Sequence, residues 1–349
     1  MPAETGEARR SERLLAFAAE AEPHLWGADG AAWMDRLESD HAGLQAAFSW
    51  FLRHGKGAEA LQLAADLWVF QEERGHADEA RSWLTKALEA PGAEPRTVTR
   101  ARALYGAGIL AFRKLDEDAA RRSFEECLAI ARERDHVHMI VRSTTGMARL
   151  ALRRGDTREV RRLSEEGLAV ARERGEKADA VNPLHMLAAA ARVEGDLGQA
   201  KAFYRENLAL NRELARPDFV SAELGNLGAL EVLDGNISEA VPLLRESLEM
   251  AHKRGDRYLA PYGLVWLGRV AFAQREPARA AKLFAAAKAQ FDATGLAMDP
   301  DEAPEYEKGL TAIRESMDDA AFSAAWSEGE KMSLDEAVAF ALGPEPPRH

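Results

Sequence analysis

Glycines at 155, 195 and 235, each opening a Gly-Asp or Gly-Asn step, mark an internal repeat with a period of 40 residues. A chain made of one unit copied in series buries its core by stacking each copy on the next, so it must fold as an array. The core columns keep phase over five units. Gly108, Ala148, Ala188, Gly228 and Gly268 fall 40 apart, each preceded by an apolar residue or alanine: Ala107, Met147, Leu187, Leu227 and Leu267. A small residue there lets two helices approach closely. Ala120, Val160, Ala200, Ala240 and Ala280 come twelve positions later, and Phe124, Ser164, Tyr204, Leu244 and Phe284 four further on. That step of four stacks both columns on one helical face. Leu128, Leu168, Leu208 and Leu248 extend the stripe, which Lys288 interrupts in the last unit. A second turn column, Asp135, Gly175, Ala215, Gly255 and Gly295, divides each unit in two. The pattern predicts an all-α protein of antiparallel helix pairs, each helix roughly four to five turns long.

These residues resemble the tetratricopeptide repeat, which places a Leu-Gly pair in its first helix, a Gly-Asp turn, then an alanine and an aromatic in its second. Gln199 to Leu208, with Ala200 and Tyr204 in place behind Gly195 and Asp196, is the cleanest copy. The period here is 40 residues, where the standard unit is about 34. The resemblance implies a right-handed superhelical solenoid. Armadillo-like and HEAT-like pairs share the longer period but lack the Gly-Asp turn. Gly55 and Gly75, with Ala80, Leu84 and Leu88, carry the pattern upstream in divergent form, where Trp33, Trp50, Trp68 and Trp83 cluster. Downstream, Asp299, Pro300, Asp301 and Glu302 read as a helix start, and Ser333 with Glu336 as a capping box. The expected organisation is divergent repeats over 1–95, a five-unit core over 96–298 and a helical cap over 299–349, in one continuous domain.

A net charge of −12 and a pI near 5.4 argue against direct nucleic-acid binding, which needs a basic footprint. The pairs Arg121-Arg122, Arg153-Arg154 and Arg161-Arg162 are too short and too interleaved with carboxylates to form a basic arm. Residues 1–10 lack the apolar stretch of a signal peptide, and no run approaches 18 apolar residues, so the expectation is a cytoplasmic chain with no membrane partner. Cys127 is the single cysteine and reads as a small packed residue. No P-loop, G-x-S-x-G, H-E-x-x-H or C-x-x-C pattern occurs. His136 and His138 adjoin a turn at a spacing that does not share a helical face, so no metal, cofactor or catalytic residue is assigned.

In arrays of this family the first helix of each pair lines the concave groove. Carried onto this chain, that face reads Arg102, Tyr105, Ile109, Phe112; Arg142, Thr145, Arg149, Leu152; Asn182, His185, Ala189, Arg192; Ala222, Gly225, Ala229, Val232; and Tyr262, Val265, Arg269, Phe272. Five of the twenty positions are arginine and none is acidic, in a chain where 58 acidic residues outnumber 46 basic ones. Arginine offers a planar fork of donors, so the bias suits a carboxylate, a phosphate or an acidic peptide. Tyr105 and Tyr262 add amphipathic surface. The candidate binding residues are Arg102, Tyr105, Arg142, Arg149, Asn182, His185, Arg192, Tyr262 and Arg269. The alternative is that these arginines pair with acidic neighbours on the following repeat, with His185 a packing residue.

The ends carry a second resemblance. Trp33 to Glu38, followed by His41, Leu44, Ala46, Ala47 and Trp50, is similar to the start of the repeat region in large actinobacterial LuxR-type and SARP-type regulators. Ala325 to Gly329 and Met332 to Val338 resemble the close of the same region. The resemblance implies a sensor that works with an ATPase of the STAND class and a DNA-binding domain, neither of which this sequence contains, so the chain reads as an excised sensor domain or a stand-alone relative. It implies a regulatory binding scaffold for a peptide, a protein or a small acidic ligand. An enzyme or biosynthetic helper on a repeat scaffold, and a purely structural assembly protein, remain the alternatives.

Overall fold

The computed structural model describes residues 2–25, 29–294, 298 and 302–343, and among these residues it contains no strand. Three helices open the chain: α1 (Pro2–Ala21), α2 (Gly30–Ser39) and α3 (His41–Arg53). Helix pairs follow: α4 (Gly57–Glu73) with α5 (Ala77–Leu88), α6 (Val98–Arg113) with α7 (Glu117–Glu133), and α8 (Val137–Arg153) with α9 (Thr157–Glu173). Next come α10 (Lys177–Val193), which contains Pro183, and α11 (Leu197–Glu213). Then come α12 (Pro217–Leu233) with α13 (Ile237–Lys253), α14 (Leu259–Ala273) with α15 (Pro277–Thr294), and finally α16 (Ala303–Glu315), α17 (Asp319–Glu330) and α18 (Leu334–Leu342). Consecutive helices pack as pairs joined by tight turns, as the repeat predicts.

Each turn is made the same way. Gly55, Gly75, Gly155, Gly175, Gly195, Gly235 and Gly255 all have positive φ, and so do Leu115, Asp135, Ala215 and Arg275. From residue 115 to residue 275 a left-handed residue therefore recurs every 20 positions, once at each end of a helix, whatever its side chain. At most of these turns the residue after it is the N-cap of the next helix. Asp116, Asp156 and Asp196 each accept a hydrogen bond from the backbone N–H three residues on, at 3.0, 3.1 and 2.9 Å. The Gly-Asp step is thus a left-handed closure followed by an N-cap. Asn236 departs from this: its amide donates to Glu231 and Asp234 instead. Leu115 has φ 63° and an exposed side chain, so it carries the left-handed strain without packing in return. Leu115→Gly is expected to raise stability by about 1 kcal/mol, read as a higher thermal midpoint.

The small-residue column does what its spacing suggests. A Cβ on Gly108 would lie 2.5 Å from the Phe124 ring, and one on Gly268 would lie 2.7 Å from Phe284. Each ring also fills the space left by a glycine on the next first helix, Gly146 for Phe124 and Gly309 for Phe284. Phe124 on α7 and Phe284 on α15 are therefore each wedged between two first helices.

The chain divides into two compact units, Met1–Pro183 and Leu184–His349, with the division inside α10. In the first unit α1 packs on α3 and α4, and Phe48 stacks on Trp83 with ring centroids 4.2 Å apart. In the second, α17 and α18 cover α13, α14 and α15. The Ser333–Glu336 capping box is present. At the other end of α18, Arg245 donates to the Leu342 carbonyl and Arg279 to that of Ala341, so cations from two helices meet its C-terminal carbonyls. The turn expected at Gly295 and the cap expected at Asp299, Pro300 and Asp301 lie outside the described residues; Glu302 precedes α16 as its N-cap.

Candidate functional site: the first-helix faces

In the first unit α4, α6 and α8 follow one another as first helices. Their facing side chains come from the predicted columns, but carboxylates join them. Arg102 Nη2 lies 2.8 Å from Glu22 and 2.9 Å from Asp66. Asp66 is 1 % exposed, and burial pushes its carboxyl above the ordinary range, against the opposing pull of Arg102 and the Gln62 amide. The Arg102 guanidinium is thus committed within the fold.

Helix α8 differs. Arg142 sits over the Tyr105 ring, 5.4 Å from its centroid. That ring packs against Trp68 and Phe124, with centroids 6.1 and 6.0 Å away. One helical step along, Thr145 is buried and its hydroxyl meets no hydrogen-bond partner among the described residues. Ser164, on the paired helix α9, is likewise buried with an unpaired hydroxyl. Arg149, half-buried, has no ion pair, hydrogen bond or ring contact among the described residues. Asn182 lies half-buried on α10. The α6–α8 face therefore combines an aromatic platform, an unanswered hydroxyl and an unpaired guanidinium.

In the second unit the predicted residues have partners in the chain. His185 Nδ1 lies 3.0 Å from the buried carboxylate of Glu223, which also accepts from Asn207 at 2.9 Å. Arg192 pairs with Glu302 at 2.6 Å, linking α10 to the start of α16 three pairs further on, and both side chains are mostly buried. Arg269 donates to the Glu305 carboxylate and carbonyl at 2.9 and 2.8 Å. The Glu305 carboxyl is held below its ordinary range: burial works against this, but Lys308 and Arg269 outweigh it. Tyr262 packs edge-on against Tyr258 and Phe291.

The remaining sequence candidates are placed as packing and capping groups. Cys127 is buried, and burial pushes its thiol up to about 12, so almost none is thiolate at neutral pH. His136 caps α8, accepting from the Met139 N–H at 3.3 Å, and His138 lies 2.5 Å from Asp179. Sequence inspection missed the carboxylates Asp66, Glu223, Glu302 and Glu305. All four sit on a groove column or next to one: Glu302 and Glu305 continue the columns of Tyr262 and Val265, while Asp66 follows the Tyr105 column position at 65 and Glu223 follows Ala222.

No family model matches the chain, and no curated protein matches it. Solved structures do. A Rap protein complexed with Competence and Sporulation Factor superposes with a TM-score of 0.56 at 12% identity, covering 94% of this chain and 99% of that one. The apo form of RapI gives 0.53 at 12% identity, covering 96% of each. A tetratricopeptide repeat protein from Parabacteroides merdae ATCC 43184 gives 0.49 at 15% identity, over 80% of this chain and 95% of that one. Tandem helix pairs, left-handed turns and glycine-seated wedges together give this chain the all-α fold of the tetratricopeptide-type repeat proteins.

Proposed function

We propose that this chain is a non-catalytic regulatory sensor or adaptor whose α6–α8 face takes an acidic segment of a peptide or protein partner. The observation that carries the reading is Arg149: it is the one candidate arginine of that face for which no partner exists among the described residues, and it lies one helical turn from the unpaired Thr145 hydroxyl. A carboxylate placed there meets the planar guanidinium fork of a half-buried arginine. Small acidic ligands share this chemistry. The similar Rap protein was solved complexed with Competence and Sporulation Factor, and a ligand-responsive role of that kind suits this fold. The resemblance of both chain ends to LuxR-type and SARP-type regulators supports a role in transcriptional control, in the cytoplasm, with a STAND ATPase and DNA-binding partner. Among the described residues no helix is long and apolar enough to cross a membrane.

The test is fluorescence binding against a panel of labelled peptides rich in Asp and Glu, with amide-matched Asn and Gln controls. Acidic peptides should bind better than their controls, and Arg149→Glu should weaken binding at least about tenfold, the loss of one charge-assisted contact. Arg269→Glu, in the second unit, should leave peptide affinity unchanged. Equal binding by wild type and Arg149→Glu would overturn the assignment.

A further inference from the structure

Two histidines and two glutamates converge at a corner of the first unit that the α6–α8 face does not use. Glu38 lies in the last turn of α2, His41 begins α3, His76 is the N-cap of α5, and Glu79 lies in its first turn. The spacing is mirrored: Glu-x-x-His in the first segment and His-x-x-Glu in the second. Glu38, His41 and His76 each bring one donor atom to within 4.8 Å of the other two. The imidazole rings lie against each other, with centroids 4.1 Å apart. His76 Nε2 is 3.3 Å from Glu38 Oε2.

Glu79 acts on this group from behind. Its Oε2 is 2.6 Å from His41 Nε2, while the Gln45 amide donates to its other oxygen at 2.7 Å and the Gln71 amide reaches Oε2 at 3.4 Å. A carboxylate that is itself held by amides and grips an imidazole is the arrangement that orients a metal-binding histidine and raises its basicity. Arg74, the neighbouring cation, is turned away to Asp35 at 2.6 Å.

We propose that Glu38, His41 and His76 bind a divalent first-row transition ion, with Glu79 as the positioning carboxylate. Two imidazole nitrogens and one carboxylate oxygen suit zinc and its neighbours, and disfavour magnesium and calcium, which take oxygen ligands. Three protein donors leave a coordination position to water. The ion would clip the α2–α3 corner to the start of α5, joining the opening helices to the first helix pair.

The experiment uses the full chain, stripped with a chelator and dialysed, then titrated near neutral pH with Co2+ by visible absorption and with Zn2+ by calorimetry. One equivalent should bind, with visible absorption from cobalt in a low-symmetry site, and zinc should raise the thermal midpoint. His41→Gln and His76→Gln should each weaken binding at least about tenfold, and Glu79→Gln by about 10- to 100-fold. Glu38→Gln alters an exposed side chain, so it should keep the fold by circular dichroism while losing zinc affinity. Absence of saturable one-equivalent binding would overturn the site, as would an affinity unchanged in His76→Gln and Glu38→Gln.

Discussion

Phe124→Ala should destabilise the first unit by about 3–5 kcal/mol, the range for removing a fully buried aromatic ring. Phe124 is 0 % exposed and sits where Gly108 of α6 and Gly146 of α8 leave room for it. Its removal empties the wedge between two first helices at once, and neither helix can close the gap without moving away from its own second helix. Urea unfolding followed by far-UV circular dichroism reads the loss. Gly108→Ala tests the contact from the other side, since its Cβ would fall 2.5 Å from the ring. In wild type it should cost about 1–3 kcal/mol by overpacking, and in the Phe124→Ala background much less. Equal costs in both backgrounds would mean the ring and the glycine are not coupled. Because the Tyr105 ring leans on Phe124, peptide binding at the α6–α8 face should weaken in Phe124→Ala as well.

Lys201→Met should cost about 3 kcal/mol in the second unit, because it strands a buried carboxylate. Lys201 and Glu231 are 6 % and 4 % exposed, and Lys201 Nζ lies 2.5 Å from Glu231 and 2.7 Å from Asp234. The pair ties α11 to the end of α12, and Asn236 adds a 2.9 Å hydrogen bond to Glu231 from the following turn. Burial opposes both charges. It would lower the Lys201 ammonium, but Asp234 and Glu231 outweigh it and raise that group above its ordinary 10.5. It would raise the Glu231 carboxyl, but Lys201 and Asn236 outweigh it and hold the group below its ordinary 4.5. A lysine raised in the fold gives stability that is complete below 10.5 and lost as pH climbs through the raised value. A glutamate depressed in the fold gives stability that is complete above 4.5 and lost as pH falls through the depressed value. The gap between wild type and Lys201→Met should therefore be widest between those limits and narrow in acid. Lys201→Met with Glu231→Leu should recover much of the loss, since a buried pair replaced by apolar groups is close to neutral. A double variant as unstable as the single one would sink the account.

The helix pairs were legible because their signals are local. A left-handed residue, an N-cap aspartate and a step of four between apolar residues each act within one turn of chain, so Gly155 with Asp156 and Ala200 with Tyr204 declare themselves. Leu115 and Arg275 show the limit of composition as a guide. They take the left-handed conformation because helices on both sides fix the chain there, and only the 20-residue spacing betrays them.

The candidate site was legible by half. The columns placed Arg142 against Tyr105, because residues on one face of neighbouring first helices stay in register. The electrostatic partners were not legible, because they depend on how successive pairs stack. Asp66 reaches Arg102 across 36 positions of chain, and Glu302 reaches Arg192 across 110. The Glu38, His41 and His76 cluster joins two segments in the same way.

By itself, then, the amino-acid sequence determined the helix pairs, their turns and the glycine seats for the wedged rings, since hydrogen-bonded turns and steric fit are settled between residues close in the chain or in fixed phase. Only the tertiary structure decided which charges are spent on one another, because an ion pair forms at a distance of about 3 Å, and the angles between stacked helices alone bring two side chains that near.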